Sequence, residues 1–202
     1  MRAVSRRFLA AVLAIGCGVA ATAQSPAAPL TDDQVRAALA AGKKFKPVGL
    51  GEGYNVAATG FSLDLFPPAA WISMQAKIAE QEKRTFGFAD VTPEMRSNVW
   101  HVKIWPSTPR MASHRRVASS VTDVVLRDAN KANDVQPTSK ESFEFKSIID
   151  STTYTGLVAT FPGEAIDRLA GPARDREIVF SVTGDHWKYD FHIKKKHFDQ
   201  LK

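Results

Sequence analysis

Residues Glu177 to Lys194, Glu-Ile-Val-Phe-Ser-Val-Thr-Gly-Asp-His-Trp-Lys-Tyr-Asp-Phe-His-Ile-Lys, constrain the fold more than any other stretch. Apolar and polar residues alternate there on both sides of Gly184-Asp185. Period two is the mark of a half-buried strand, and Gly-Asp between two such runs predicts a β-hairpin. A two-residue type II′ turn would close it, because that turn needs positive φ at its first central residue. In this register Thr183 faces His186, and Val182/Trp187, Phe180/Tyr189 and Ile178/Phe191 fall on one apolar face. The other face carries Ser181/Lys188, Val179/Asp190 and Glu177/His192. Glu177 and His192 are expected to form an exposed cross-strand pair contributing under about 1 kcal/mol. With Asp190 two residues along, the alternative is a divalent-cation site of Glu177, Asp190 and His192. The ion pair takes precedence, since Lys188 and Lys194 flank the cluster and edge strands use such charges to block association.

Period two extends back to Asn98. Trp100, Val102 and Ile104 alternate with His101, Lys103 and Trp105 before Pro106. Val117 to Leu126 reads as a central strand, with Val121/Asp123/Val125 against Thr122/Val124/Leu126 and both faces partly apolar. Arg127 to Lys140 reads as a polar surface loop, Ser142 to Ile149 and Gly156 to Phe161 as strands. Pro162 to Ala170 is a short helix stopped by Gly171-Pro172, and Lys194 to Lys202 a short basic helix.

Upstream the period is helical. Thr31 with Gln34 forms a capping box, with Leu30 and Val35 as a hydrophobic staple, for a helix ending at Gly42. A longer helix over about Pro68 to Lys83 shows Trp71, Met74 and Ile78 as its core stripe, and Ser73, Lys77, Glu80 and Arg84 opposite. Thr92-Pro93-Glu94 caps a further turn. The expected class is therefore α+β: an antiparallel β-sheet or sandwich over the C-terminal two thirds, with an N-terminal helix and one longer amphipathic helix packed on it. Parallel α/β is disfavoured, because residues 98–161 leave no room for crossover helices.

Residues 1–23 read as a cleaved secretion signal. Arg2, Arg6 and Arg7 precede the apolar run Phe8 to Ala21, and Ala21-Thr22-Ala23 is the small-residue cleavage pattern. Residues 24–30 are an Ala/Pro spacer, and 31–202 a single α+β domain. The location that follows is periplasmic or secreted. The alternative is a lipid anchor at Cys17 after Ala14-Ile15-Gly16, for which Leu13 sits one place early. No later stretch is apolar enough for a membrane span. Removing the signal leaves 24 basic and 21 acidic residues, a net of +3, which argues against nucleic acid as a partner. Cys17 is the one cysteine, so the mature chain has no disulfide and depends on an apolar core.

Catalytic signatures are missing from the residue pattern. There is no mature cysteine for Cys-His hydrolysis or thiolate zinc, and no Gly-x-Ser-x-Gly, Ser-x-x-Lys or His-Glu-x-x-His. Gly49-Leu50-Gly51-Glu52-Gly53 matches neither dinucleotide nor P-loop spacing, so no cofactor is expected. Glu164/Asp167 read as solvated helix charges. The leading expectation is a non-enzymatic binding or accessory module of the bacterial envelope, whose partner is an envelope protein or an anionic polymer. The basic clusters His114-Arg115-Arg116 and Lys194-Lys195-Lys196 are its candidate ligand-binding residues. The alternative is a hydrolase of an envelope polymer, which a cleft gathering His101, a carboxylate and a hydroxyl would favour.

The exported protein should have the intact mass of a chain beginning at Gln24, and Cys17→Ser should leave it unchanged. A diacylglyceryl-modified Cys17, with membrane partitioning abolished by Cys17→Ser, would overturn this processing.

Overall fold

Apolar residues at every second position give strands with one oily face, and two such faces must cover each other. The computed structural model, which describes residues 28–42, 54–58, 61–106, 120–146, 153–184 and 188–201, shows this arrangement. The helix α1 (Asp32–Gly42) is followed by β1 (Tyr54–Ala58), β2 (Phe61–Phe66) and α2 (Pro68–Gln81). Then come α3 (Pro93–Arg96), β3 (Val99–Pro106), β4 (Val121–Asp128), β5 (Asp134–Val135), β6 (Ser139–Lys146) and β7 (Thr153–Pro162). The chain continues through α4 (Gly163–Ala170), β8 (Ile178–Gly184), β9 (Lys188–Ile193) and α5 (Lys195–Phe198). The strands form a five-stranded sheet in the order β1-β2-β3-β7-β6 and a four-stranded sheet in the order β5-β4-β8-β9. All their pairings are antiparallel. The class is α+β, and among the described residues no helix is long and apolar enough to cross a membrane.

The core lies between the sheets. Phe61, Leu63 and Leu65 of β2, Trp100, Val102 and Ile104 of β3, and Leu157, Ala159 and Phe161 of β7 meet Val124 and Leu126 of β4, Phe180 of β8 and Phe191 of β9. Ile166 and Leu169 of α4 and Phe198 of α5 join the same cluster. Gly171 stops α4 at φ +81°, a left-handed value that favours glycine.

Both helices of the N-terminal third lie on the outside of the five-stranded sheet. Met74 and Ala70 of α2 pack on Phe66, the outward residue that ends β2. Thr31 and Gln34 make the capping box of α1, with Thr31 N–H donating to Gln34 Oε1 at 2.9 Å and Gln34 N–H to Thr31 Oγ1 at 3.3 Å. Of the side of α2 read as solvent-facing, Ser73 is covered by this helix, fully buried and donating to the Ala38 carbonyl at 2.7 Å, while Glu80 and Arg84 are exposed as expected. Trp71, read as core, is only half-buried and lies against the outer sheet face.

Three further expectations are corrected. The hairpin pairs Thr183 with Lys188, Phe180 with Phe191 and Ile178 with Ile193, so residues 184–187 separate the paired positions and the two-residue turn is not formed. The register is offset by two residues, one full side-chain period, so Ile178, Phe180, Val182 and Phe191 keep the core face and Ile193 gains a core partner, whereas Tyr189, expected on that face, is exposed; Trp187 lies outside the described residues. A β-bulge between Val121 and Asp123 turns Val121 to the same side as Val124 and Leu126. The expected loop 127–140 is interrupted, because Arg127 and Leu126 pair with Asp134 and Val135. The expected signal 1–23, Cys17, the glycine cluster 49–53 and the cluster His114-Arg115-Arg116 lie outside the described residues.

The five-stranded sheet contains one position that admits no side chain. A Cβ at Gly156 of β7 would stand 2.2 Å from the Phe143 ring and 2.8 Å from the Ile104 carbonyl oxygen. Gly156→Ala should therefore destabilise the protein by about 1–3 kcal/mol in urea unfolding, whereas Ser142→Ala on the exposed edge should stay within about 0.5 kcal/mol.

Candidate functional site

Because β2, β3 and β7 turn their apolar residues inward, their alternate residues build the outer face. Register places His101 of β3 opposite Thr160 of β7, and Thr160 opposite Ser139 of β6. Over this row α2 and α3 stand apart, leaving a cavity of about 380 Å³. Its floor is His101, Val158, Thr160 and Ser139, its walls are Trp71 and Gln75 of α2 and the Thr92–Met95 turn, and Glu141 stands at the β6 side. Thr92 is fixed as the N-cap of α3 by accepting from Met95 N–H at 3.3 Å.

His101 organises the floor. Its ring stacks on Trp71 at 4.0 Å between centroids and 17° between planes, and its Nδ1 is 3.2 Å from Thr160 Oγ1. Burial lowers its pKa from 6.5 to about 4, so the imidazole is neutral near pH 7. The cavity thus offers an uncharged ring, hydroxyls and an amide, with the carboxylates of Glu94 and Glu141 as its charges. No lysine or arginine lines it. Lys140, between Ser139 and Glu141, points to the opposite side and pairs with Asp123 at 2.9 Å.

The neighbouring row of the same face is internally satisfied. Lys103 Nζ sits 3.8 Å from the centroid of Trp105 and 4.6 Å from that of Phe143, while Trp105 Nε1 donates to buried Asp64 at 2.7 Å. Burial lowers the Lys103 pKa, and the Asp64 charge opposes that shift. This cluster holds the sheet surface together and leaves the His101 cavity as the open part.

The residues singled out from the hairpin separate into two groups. His192 Nδ1 lies 2.6 Å from Glu177 Oε1, and Lys194 Nζ 3.5 Å from Glu177 Oε2. The contact is diagonal, since His192 pairs directly with Val179. The His192 hydrogen bond holds the Glu177 carboxyl below its usual range. Asp190 does not join them; it accepts from Ser181 and pairs with Lys131. Burial pushes the Asp190 carboxyl up, but the Lys131 and Ser181 hydrogen bonds outweigh it and its pKa is lowered. Among the described residues no three metal-ligating side chains come together. In the basic run, Lys194 is engaged by Glu177, Lys195 pairs with Asp199 at 3.1 Å, and Lys196 is exposed. Asp167 of the Glu164/Asp167 pair is bound by Arg174. Of the cavity's residues, His101 alone was marked in the sequence as a possible site residue, and no local pattern marks the others.

The depressed His101 pKa has a defined sign in stability. Unfolded, the ring takes up its proton near pH 6.5; folded, it resists until about pH 4. Its contribution is therefore present above pH 6.5 and is lost as pH falls toward 4. Between those limits the wild type should lose on the order of 2 kcal/mol more than His101→Gln in urea unfolding, allowing for the part of the ring that water reaches. An equal loss in both proteins would show that the imidazole is not desolvated.

No protein-family model matches the chain, and no curated protein matches it in sequence; the functional case accordingly rests on the geometry of these side chains.

Proposed function

We propose that the mature chain is a non-enzymatic binding module of the cell envelope, and that it takes a segment of a partner protein in the His101 cavity. The observation that supports this most is the cavity's position beside β6. Among the described residues this strand is the edge of its sheet, mostly exposed from Ser139 to Lys146, and pairs on one side with β7. An extended partner segment laid along such an edge gains main-chain hydrogen bonds from the strand and selectivity from the adjoining pocket. The pocket's carboxylates, Glu94 and Glu141, favour a neutral polar or cationic side chain.

A hydrolase of an envelope polymer is the second reading, because the cavity brings His101 together with hydroxyls and carboxylates. Three features weigh against it. The pKa of about 4 makes His101 a weak base at neutral pH. Among the described residues no carboxylate hydrogen-bonds to its ring, so an orienting third group is missing. Thr160 is buried within a strand, and its hydroxyl lacks the exposure of a nucleophile.

Immobilised mature protein should retain a discrete envelope protein, and Glu94→Lys with Glu141→Lys should abolish that retention while leaving the unfolding midpoint near wild type. Replacing Lys194, Lys195 and Lys196 by Gln should leave it intact. Release of soluble fragments from purified envelope polymer by the wild type, and not by His101→Gln, would establish the hydrolase instead.

A further inference from the structure

A second cavity of about 480 Å³ opens where the turn after β4 meets the last turn of α4 and the residues entering β8. Asp128, Asn130, Asn133, Arg168, Arg176 and Glu177 line it. By count its charges cancel, but they are not equally free. Asp128 accepts from Ala132 N–H and Asn133 Nδ2, and these bonds hold its carboxyl below the usual range. Glu177 is taken by His192 and Lys194. Both carboxylates are thus spent within the protein.

The arginines are not. Among the described residues Arg84, Arg96, Arg127 and Arg174 pair with Glu82, Asp32, Asp134 and Asp167, and Arg36 lies 4.5 Å over the Phe88 ring. Arg168 and Arg176 make no such contact, and both face this cavity. Glu164, four residues before Arg168 on α4, is placed for a helical ion pair but makes none. Asp175 Oδ1 and Arg176 Nε flank the point a Gly171 Cβ would occupy, at 3.0 Å and 3.2 Å from it, so Asp175 is the nearest acidic neighbour of Arg176, although the two do not close an ion pair. Arg176 is anchored through its backbone, its N–H donating to the Ala170 carbonyl at 2.9 Å, so its side chain springs from a fixed point at the end of α4.

We infer that this cavity is a binding site for an oxyanion, the phosphate or carboxylate of an anionic envelope polymer, held by Arg168 and Arg176. Two guanidinium forks present parallel N–H donors matched to such oxygens, and the amide side chain of Asn130 lines the same wall. The site lies apart from the His101 cavity and uses none of its residues, so either can fail without the other.

The test titrates mature protein with short-chain polyphosphate and with oligogalacturonate at low and high salt. Saturable binding of either should weaken about tenfold in each of Arg168→Gln and Arg176→Gln and should fall with salt. Lys83→Gln with Lys146→Gln, which removes two charges at exposed sites elsewhere where each arginine variant removes one, should bind as wild type. Binding of polyphosphate alone identifies the phosphate source, and of oligogalacturonate alone the carboxylate source. No saturable binding of either, or equal weakening by the lysine pair, would overturn the assignment.

Discussion

The edge-to-face contact of Phe161 and Phe180, ring centroids 5.5 Å apart, joins β7 of one sheet to β8 of the other, and the rest of the molecule depends on that interface. With a single cysteine, Cys17, the chain has no internal disulfide to restrain its unfolded state. Burial must supply the stability, and each fully buried large apolar side chain contributes about 1.5–3 kcal/mol. Trp100, Phe61, Phe161, Phe180, Phe191 and Phe198 are all within 2% of complete burial there. Large rings contribute the most area per residue fixed, which suits a sandwich whose strands are short.

Committing one face of each strand to that core decides what the other face can do. The inward set Trp100, Val102 and Ile104 obliges His101, Lys103 and Trp105 to point outward, where α2 can reach only part of them. Trp71 covers His101, and Trp105 with Phe143 covers Lys103. The cavity remains where α2 and α3 diverge above β7 and β6. Its chemistry is therefore a by-product of strand alternation combined with the placement of α2, whose opposite side is sealed by Ser73 bonding to the Ala38 carbonyl of α1. A helix braced on both sides keeps Trp71 and Gln75 in fixed positions, as a preformed pocket requires.

Much of this architecture was legible in the residue pattern, because a side-chain period is a local property. The faces of β3, the inward set of β8, the capping box at Thr31, the turn at Thr92 and the stop at Gly171 are set by neighbours within a few residues, whereas the burial of Val179 and Ser181 on the other side of β8 and the exposure of Tyr189 on β9 are not. What failed was register and long-range coverage. Gly184-Asp185 suggested the tightest loop, yet pairing Ile193 with Ile178 gives the inner face one more apolar partner than that loop allows. The overriding signal was present in Ile193, an inward-parity apolar residue left beyond the end of the shorter hairpin. The bulge at Val121 and the burial of Ser73 had no local signal, since each is imposed by a partner distant in sequence. For the same reason the His101 cavity could not be assembled from the chain: its lining comes from segments near 71–75, 92–95, 101, 139–141 and 158–160.

Charge behaves likewise. A contiguous run such as Lys194-Lys195-Lys196 stands out in the sequence, but helical spacing also supplies its counter-charge: Asp199 lies four residues after Lys195, and Glu177 comes across from the strand entry to Lys194. Arg168 and Arg176 are unremarkable in sequence, separated by seven residues that include a helix stop at Gly171. The fold turns both toward one cavity whose carboxylates already have partners. What attracts a ligand at close range is the charge left unmatched after internal pairing, because a satisfied ion pair presents a small dipole while an unpaired guanidinium keeps its full field and its donors. Net charge and local runs count cations before that pairing is made, so they direct attention to residues the protein has already used.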